Sequence, residues 1–257
     1  MSGMLGPTLR GARIIPSSLV HGPDCGTDHR LRLASLWGAD TFQPSKYSSI
    51  TLAHTQRDLN NIGRLRYELF VERDHKAYAA DHSNSVFLES IDNLSLNIQA
   101  VDADHEKCLA AVRLTRGQDG MADRQLAAIL TNCEVARPPY ANCVLLSRLT
   151  VRPEPRARSC ITDLMRHTYS LGLRQGARYA LLATRPSLIP MFRRFGSVPT
   201  GRHLHDPVAS DLEILVLDLL NRDHLAAVSS PLLAELDAFL TILTPDTDEG
   251  LLRYAPT

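Results

Sequence analysis

Arginines and carboxylates at defined spacings are the residues of this sequence that could support chemistry on a polar or anionic molecule. Arg66 lies four residues after Ile62 and four before Phe70, so a helix would place its guanidinium inside an apolar stripe. A guanidinium buried there is unfavourable unless an anion pairs with it. Glu89 and Asp92 could supply that anion, and we expect Asp92 to be the partner. A structural salt bridge and a pocket for a polar acceptor both fit this pattern.

Arg113 and Arg148 lie within apolar stretches and allow the same two interpretations. In a strand, alternation places Arg148 on the face opposite Leu149. A guanidinium can hold a carboxylate through two parallel hydrogen bonds, so either arginine could bind an acceptor carboxylate. We favour Arg113 over Arg148 for this role.

Composition excludes several classes of protein. The 257 residues carry 28 Lys and Arg against 28 Asp and Glu, a formal net charge of zero, whereas dedicated nucleic-acid binders are usually basic. No apolar run approaches the roughly 20 residues that span a bilayer. No apolar segment follows Arg10 and Arg13, which disfavours a secretory signal. The five cysteines form no Cys-x-x-Cys pair, which argues against a zinc ribbon and weakly favours a cytoplasmic protein.

The elements that must position these residues alternate irregularly between strand and helix. A Gly- and Pro-rich stretch at 1–48 predicts an extended or partly disordered arm, followed by one domain at 49–245 and a tail at 246–257. This mixture predicts an α/β protein with a mixed sheet covered by helices. The predicted strands are 50–54, 94–101, 108–115, 143–151, 179–183 and 212–219; the predicted helices are 56–73, 123–130, 159–175, 187–195 and one capped by Ser230.

The order of these elements and four segments resemble the GNAT acyltransferase superfamily over roughly residues 50–243. The nearest members are the N-acyl amino acid synthases and the acyl-homoserine-lactone synthases. The segments are RYELFVERD, in which Arg66 and Phe70 match an Arg-x-x-x-Phe pattern; the acidic turn from Glu89 to Asp92 before a strand; AAVRLTRG, which contains Arg113; and LLSRLTVRPEPRARS, which contains Arg148.

This resemblance implies a GNAT-like central sheet of six to seven strands flanked by helices. The fourth and fifth strands would splay apart, near Thr150 and Leu182. The pantetheine arm of an acyl donor would then pair with the fourth strand at Leu149, Thr150 and Val151. The resemblance also implies four substrate-binding residues, Arg66, Phe70, Arg113 and Arg148.

The loop after the fourth strand departs from the pattern of the superfamily. Its usual form, Arg/Gln-x-x-Gly-x-Gly/Ala, presents backbone amides to a pyrophosphate. Here Arg156 is retained, but Ser159 and Ile161 replace the two small residues. Ser159 could still cap the next helix, whereas Ile161 would crowd the approach of a diphosphate. An acyl carrier protein therefore fits better than free coenzyme A. The arginines that would face this acidic carrier, or else form a solvated basic loop, are Arg152, Arg156, Arg158 and Arg166.

Two further departures concern proton transfer. Leu145 stands where the lactone synthases carry a Glu, and Phe192 stands where many acetyltransferases carry a Tyr general acid. Glu89 or Asp92 is then the best candidate for a catalytic base. His203 and His205 alternate as metal ligands can, but no third ligand is evident, so we expect no metal.

The sequence thus predicts an N-acyltransferase. It would move a fatty or bulky acyl group from a carrier thioester to the amine of an amino acid or similar small molecule. The acyl-phosphopantetheine of an acyl carrier protein or of coenzyme A would be a co-substrate, with no cofactor bound permanently. An acetyl-CoA-dependent or natural-product acetyltransferase of the same fold is one alternative. A GNAT-like binding protein without turnover is the other.

Overall fold

The computed structural model describes residues 48–76, 78–102 and 107–243. The arm predicted at 1–48, apart from Ser48, and the tail predicted at 246–257 lie outside these residues.

The described residues form one seven-stranded sheet with the order β1-β2-β3-β4-β5-β7-β6. Strands β4 and β5 are parallel, and every other neighbouring pair is antiparallel. The mixed sheet predicted from the sequence is therefore confirmed. Its strands are β1 (Ser48–Leu52), β2 (Leu96–Asp102), β3 (Cys108–Arg116), β4 (Cys143–Val151), β5 (Tyr179–Thr184), β6 (Val198–Asp206) and β7 (Ser210–Asp218).

Helices cover both faces of this sheet. Helix α1 continues directly into a π-helical segment, Tyr67–Arg73. Short 3₁₀ turns occupy Ser90–Leu94 and Pro186–Leu188. The helices are α1 (Gln56–Arg66), α2 (Gly117–Gly120), α3 (Arg124–Thr131), α4 (Pro155–Ser159), α5 (Ile161–Arg174), α6 (Ile189–Arg194), α7 (Arg222–Ala227) and α8 (Leu233–Leu243).

Alternation along β3 sends successive side chains to opposite faces of the sheet. Val112 and Leu114 join the larger apolar core, which also contains Leu164 and Tyr169 of α5. Ala111 packs instead with the buried side chains of α1. The α5 face is therefore largely apolar, whereas the α1 face also receives the polar side chains of β2 and β3.

Strands β4 and β5 pair only at their beginnings. The register runs from Cys143 opposite Tyr179 to Leu145 opposite Leu181 and then stops. On its other edge β4 carries a bulge against β3, and Arg148 within it has a φ of 54°. A bulge bends its strand and increases the local twist, which turns β4 away from β5. The predicted splay is confirmed, although it begins four residues before Thr150.

The structure differs from the sequence prediction at two places. The sequence predicts no strand at β6, because Pro199, Gly201 and the polar residues of this edge strand are typical of a loop. The helix predicted at 159–175 is instead divided at Cys160 into α4 and α5. Ser159 lies inside α4 and donates its hydroxyl to the Arg156 carbonyl, so it does not cap α5.

Replacing Gly196, in the turn before β6, would test how tightly the α5 face of the sheet is packed. Gly196 has a φ of 101°, and a Cβ there would lie 2.7 Å from Leu225 Cδ2. Gly196→Ala should lower the free energy of unfolding by about 1–2 kcal/mol through backbone strain and by about 1–3 kcal/mol through overpacking. Gly201→Ala is the matched control, because Gly201 has a φ of 71° with open space around it. Equal losses in urea titrations would contradict the packing contribution.

Candidate active site

Arg66 and Asp92 form a buried ion pair beneath helix α1. The Arg66 side chain is fully buried, as its position in the apolar stripe of α1 predicts. Its Nη1 donates to both oxygens of Asp92 at 2.9 Å, and its Nη2 donates to Asn97 Oδ1 at 3.1 Å. The predicted burial of Arg66 and its predicted partner are both confirmed. Its substrate-binding role stays a prediction.

The Asp92 carboxylate also binds the backbone of the acidic turn. Glu89 precedes the 3₁₀ turn Ser90–Leu94, and its backbone N–H donates to Asp92 Oδ2 at 2.8 Å. Asn97 at the start of β2 donates its amide to the Asp92 carbonyl at 3.0 Å. These bonds hold the turn and the Asp92 carboxylate in place relative to β2.

Arg113 joins the two carboxylates from the middle of the sheet. Its Nη1 donates to Glu89 Oε2 at 2.8 Å and to Asp92 Oδ1 at 3.3 Å, while its Nε donates to Ser147 Oγ at 3.0 Å. Only 1% of the residue is exposed. The direct grip on an acceptor carboxylate expected of Arg113 would therefore require this cluster to open.

Arg148 completes the cluster from the β4 bulge. Its Nε and Nη2 donate to the two oxygens of Glu89 at 2.7 and 2.6 Å. Its guanidinium carbon also lies 5.1 Å from the ring centre of Tyr78 and 5.7 Å from that of Phe87. Left-handed backbone is unfavourable for an arginine, and the bidentate ion pair offsets this strain.

The electrostatics of the cluster bear on the predicted catalytic base. Burial alone would raise the pKa of Glu89, but hydrogen bonds and charges from Arg148 and Arg113 outweigh it and lower the pKa to about 2. A carboxylate with so low a pKa is a weak proton acceptor near neutral pH. The low pKa therefore favours a positioning role for Glu89, and the buried ion pair with Arg66 favours the same role for Asp92. Their role as catalytic bases stays a prediction.

Phe70 lies at the rim of the cluster, in an aromatic group that packs over Arg148. Its ring centre lies 6.0 Å from that of Tyr78 and 6.3 Å from that of Phe87, and the Tyr78 and Phe87 rings stack at 4.8 Å. Tyr78 belongs to the polar stretch 74–90, where the sequence predicted only a loop.

The donor-binding residues expected on β4 lie beside the cleft between β4 and β5. Thr150 and Val151 pair with β3 on one edge. On the other edge, no described strand pairs with β4 beyond Leu145. Leu149 and Val151 pack toward the larger apolar core, while Thr150 is buried on the opposite face. The backbone of β4 therefore offers a free edge where the sequence predicted one.

The basic loop after β4 is only partly available to a partner. Arg152 donates to both oxygens of Glu68, at 2.5 and 2.6 Å, and Arg166 pairs with Glu235 at 2.6 Å. These ion pairs correct the expectation that Arg152 and Arg166 face a carrier. Arg156 and Arg158 are exposed on α4.

Hydrogen bonds within α4 engage backbone amides that a diphosphate would need. The Arg158 N–H donates to the Glu154 carbonyl at 3.1 Å, and the Cys160 N–H donates to the Ala157 carbonyl at 3.2 Å. Pro155 has no N–H, and the Glu154 side chain adds a carboxylate 2.7 Å from Lys107 Nζ. Fewer amides thus remain for a diphosphate than in an open glycine-rich loop.

An apolar cavity of about 30 Å³ lies on the α5 face of the cleft. Leu146 and Leu182, the first residues after the β4–β5 pairing ends, line it together with Met165 of α5. Two buried hydroxyl groups, those of Thr168 and Ser197, belong to residues of the same wall.

Neither position of the expected acid–base residues carries a titratable group. Leu145 and Phe192 are both buried among apolar side chains.

The described residues contain no group of three or more His, Cys, Asp or Glu side chains that could hold a metal ion. His205 Nδ1 instead lies 2.9 Å from Asp211 Oδ1. Among the helices of the described residues, none is long and apolar enough to cross a membrane.

The model of a known family matches most of this fold. The family described as N-acyl amino acid synthase FeeM matches residues 61–218, which include the whole charged cluster and the β4–β5 cleft. The chain belongs to this family. The protein is therefore an N-acyltransferase, as predicted from the sequence, and this activity is favoured over the acetyltransferase and the binding protein without turnover.

Solved structures share the fold at low identity. TofI in a ternary complex with an inhibitor and MTA is 18% identical with a TM-score of 0.55, covering 72% of this chain and 98% of TofI. The acyl-homoserine-lactone synthase LasI is 15% identical with a TM-score of 0.54, covering 67% and 90%. FeeM, an N-acyl amino acid synthase from uncultured soil microbes, is 14% identical with a TM-score of 0.53, covering 71% and 97%. No curated protein sequence matches the chain.

Replacing Arg66 separates its structural role from a functional one. Arg66→Ala would leave Asp92 buried and unpaired, so it should lower the free energy of unfolding by about 3–5 kcal/mol. Arg66→Lys keeps the charge but loses the two-pronged geometry, so activity should fall more than stability. Urea unfolding and acyl-transfer assays measure the two effects. Arg64→Ala, at an exposed position of the same helix, is the control. Full activity in Arg66→Lys would make the residue purely structural.

Acid should destabilise the protein through Glu89. Its pKa is about 2 in the fold against 4.5 for the free side chain, so its stabilising contribution is present above pH 4.5 and is lost as the pH falls toward 2. This loss corresponds to about 3 kcal/mol. Glu89→Gln should lack this part of the acid dependence when unfolding is measured at several pH values. Identical pH slopes for both proteins would contradict the low pKa.

Proposed function

We propose that this protein transfers a fatty or bulky acyl group from the phosphopantetheine of an acyl carrier protein to the amine of an amino acid. The observation that carries this proposal is the open edge of β4, which lies directly beside the buried cluster of Arg66, Arg113, Arg148, Glu89 and Asp92. A thioester arm bound along this edge would lie next to the charged cluster. The cytoplasmic location expected from the sequence stays a prediction.

The donor arm would lie along β4. Backbone groups at Leu149, Thr150 and Val151 would pair with the amides of the pantetheine, as an added strand pairs with a sheet edge. The apolar cavity between Leu146 and Met165 would receive the beginning of the acyl chain. The thioester carbonyl would then lie near the β4 bulge.

The reaction requires few groups from the protein. The neutral amine attacks the thioester carbonyl, so a C–N bond forms and the C–S bond breaks. The thiol stays on the carrier arm, and the proton lost by the amine passes to it, directly or through water. Positioning and stabilisation of the oxyanion account for most of the acceleration in such a step.

Arg148 is the residue that we propose for oxyanion stabilisation. Nε and Nη2 of its guanidinium are bound to Glu89, whereas no described residue accepts a hydrogen bond from Nη1. The cluster contains three arginines against two carboxylates, which leaves one positive charge in excess. Glu89 would orient Arg148 and keep it charged. Burial alone would lower the pKa of Arg148, but the hydrogen bonds and the charge of Glu89 outweigh it, so the pKa of Arg148 lies above its ordinary value.

We propose the carrier rather than coenzyme A as the donor, because backbone amides of α4 that could bind a diphosphate already donate to carbonyls of the same segment. A phosphopantetheine attached to a protein has no nucleotide diphosphate and does not need those amides. The exposed Arg156 and Arg158 could contact an acidic carrier surface. Coenzyme A remains the alternative donor, and BjaI, a solved structure of the same fold, is described as a CoA-dependent acyl-homoserine lactone synthase.

Donor competition tests this proposal. With the same acyl chain, the kcat/KM for acyl carrier protein should exceed that for acyl-coenzyme A, because α4 leaves few free backbone amides to bind the diphosphate of coenzyme A. The Arg156→Glu/Arg158→Glu variant should lower kcat/KM for the carrier about tenfold or more at low salt, mainly through slower association, and less at high salt. Arg174→Glu, at an exposed position near the end of α5, is the control.

Equal kcat/KM for both donors would overturn the carrier proposal. Absence of acyl transfer from either donor to any amino acid would overturn the proposed reaction itself. Mass spectrometry of organic extracts from cells that express the protein gives an independent measurement of the product.

A further inference from the structure

The apolar cavity on the α5 face has one end at the cleft and the other end under the paired part of the sheet. Leu146 and Leu182 line the first end, where β4 and β5 have separated. Val144 and Ala180, which lie opposite each other in the β4–β5 register, line the second end. A chain that entered between the separated strands would therefore run toward a region where the strands are joined.

Gly172 of helix α5 lies at this second end. A Cβ at this position would lie 3.6 Å from Val144 Cγ2 and 3.4 Å from Leu219 Cδ1, which are ordinary van der Waals contacts. A methyl group would thus fit here without displacing its neighbours. Glycine is unfavourable in the interior of a helix, so the space that Gly172 leaves is obtained at a cost in stability.

The volume of the cavity limits what it can hold. It is about 30 Å³, and a group the size of a water molecule needs about 10–15 Å³ of such space. The cavity therefore accommodates about two or three methylene or methyl groups. A longer chain would have to displace the surrounding core, and interdigitated side chains resist such overpacking.

Polar contacts hold the walls of the cavity in place. Arg166 of α5 pairs with Glu235 of α8 at 2.6 Å. The Ser230 hydroxyl donates to the Phe195 carbonyl at 2.9 Å, which anchors the turn before α8. Leu232 of this turn and Phe195 both line the cavity. An outward movement of α8 that enlarged the cavity would break these contacts.

We propose that the protein transfers a short acyl group, of about four or five carbons, and that Gly172 sets this limit. Two or three of these carbons would fill the cavity, while the thioester carbonyl carbon and its neighbour would lie in the cleft. This inference rests on the proposed function and narrows its fatty or bulky acyl group to a short one. Gly172 would determine specificity without touching the reacting atoms.

The kinetic test measures kcat/KM for linear acyl groups from acetyl to hexadecanoyl, on acyl carrier protein and in parallel on coenzyme A, with a mixture of the twenty amino acids. The wild-type protein should have its optimum at butanoyl or pentanoyl. Gly172→Ala fills the end of the cavity, so it should lower kcat/KM for these two groups about tenfold and leave acetyl transfer unchanged. Leu219→Ala removes the end wall and should lengthen the optimal chain by about two carbons.

Two control variants separate the cavity from general stability. Leu236→Ala is matched to Leu219→Ala, because Leu236 is fully buried in the same apolar core but does not line the cavity. Arg174→Ala, at an exposed position of α5, is matched to Gly172→Ala. Both controls should keep the wild-type chain-length profile. Gly172→Ala should also raise the Tm, because alanine favours a helix over glycine, so its loss of butanoyl transfer would not come from unfolding.

A binding measurement separates failure of this inference from failure of the proposed function, because it needs no turnover. Isothermal titration calorimetry with acyl-pantetheine analogues, in which an amide replaces the thioester, should show the tightest binding for butanoyl and pentanoyl and weaker binding of both to Gly172→Ala. This pattern without acyl transfer would overturn the reaction but support the short acyl site. An optimum at any other chain length, an unchanged profile in Gly172→Ala, or no binding of any analogue would each overturn the inference, even if acyl transfer is observed.

Discussion

The pairing of buried guanidinium groups with buried carboxylates is the constraint on which the rest of this structure depends. Arg66 lies wholly inside the protein, where an unpaired charge would be prohibitively unfavourable. Asp92 neutralises it, and Glu89 joins the same network through Arg113 and Arg148. Because these residues come from α1, the acidic turn, β3 and β4, the network holds four separate parts of the chain in one arrangement. It therefore serves stability and pre-organisation together.

The bulge at Arg148 connects this network to the cleft. An arginine in left-handed backbone is strained, yet here it is held by a bidentate bond to Glu89. The same bulge turns β4 away from β5 after Leu145 and leaves a free strand edge. One local irregularity thus presents a guanidinium to Glu89 and accompanies the end of the β4–β5 pairing, so the charged cluster and the free edge of β4 lie on the same strand.

The chemistry expected in this cleft suits a site without a dedicated base. Leu145 and Phe192 place apolar side chains at the two positions where the resemblance led us to look for an acid or a base, and the pKa of Glu89 is lowered to about 2. Aminolysis of a thioester by a neutral amine depends chiefly on alignment of the reactants and on a donor for the oxyanion. In the proposed reaction, the buried arginine cluster beside the apolar cavity would provide these features. In the structure, the carboxylates of the cluster bind the arginines.

Local sequence patterns determined much of this protein. The position of Arg66 between Ile62 and Phe70 was sufficient to predict its burial, because helical periodicity shows which face of α1 is apolar. Strand alternation likewise located β4, but it missed β6, whose exposed edge tolerates proline and glycine. Only the tertiary structure showed that Glu89 pairs with Arg148, 59 residues away. Periodicity records the environment of a side chain, whereas the partner of a charge depends on how distant strands and loops pack.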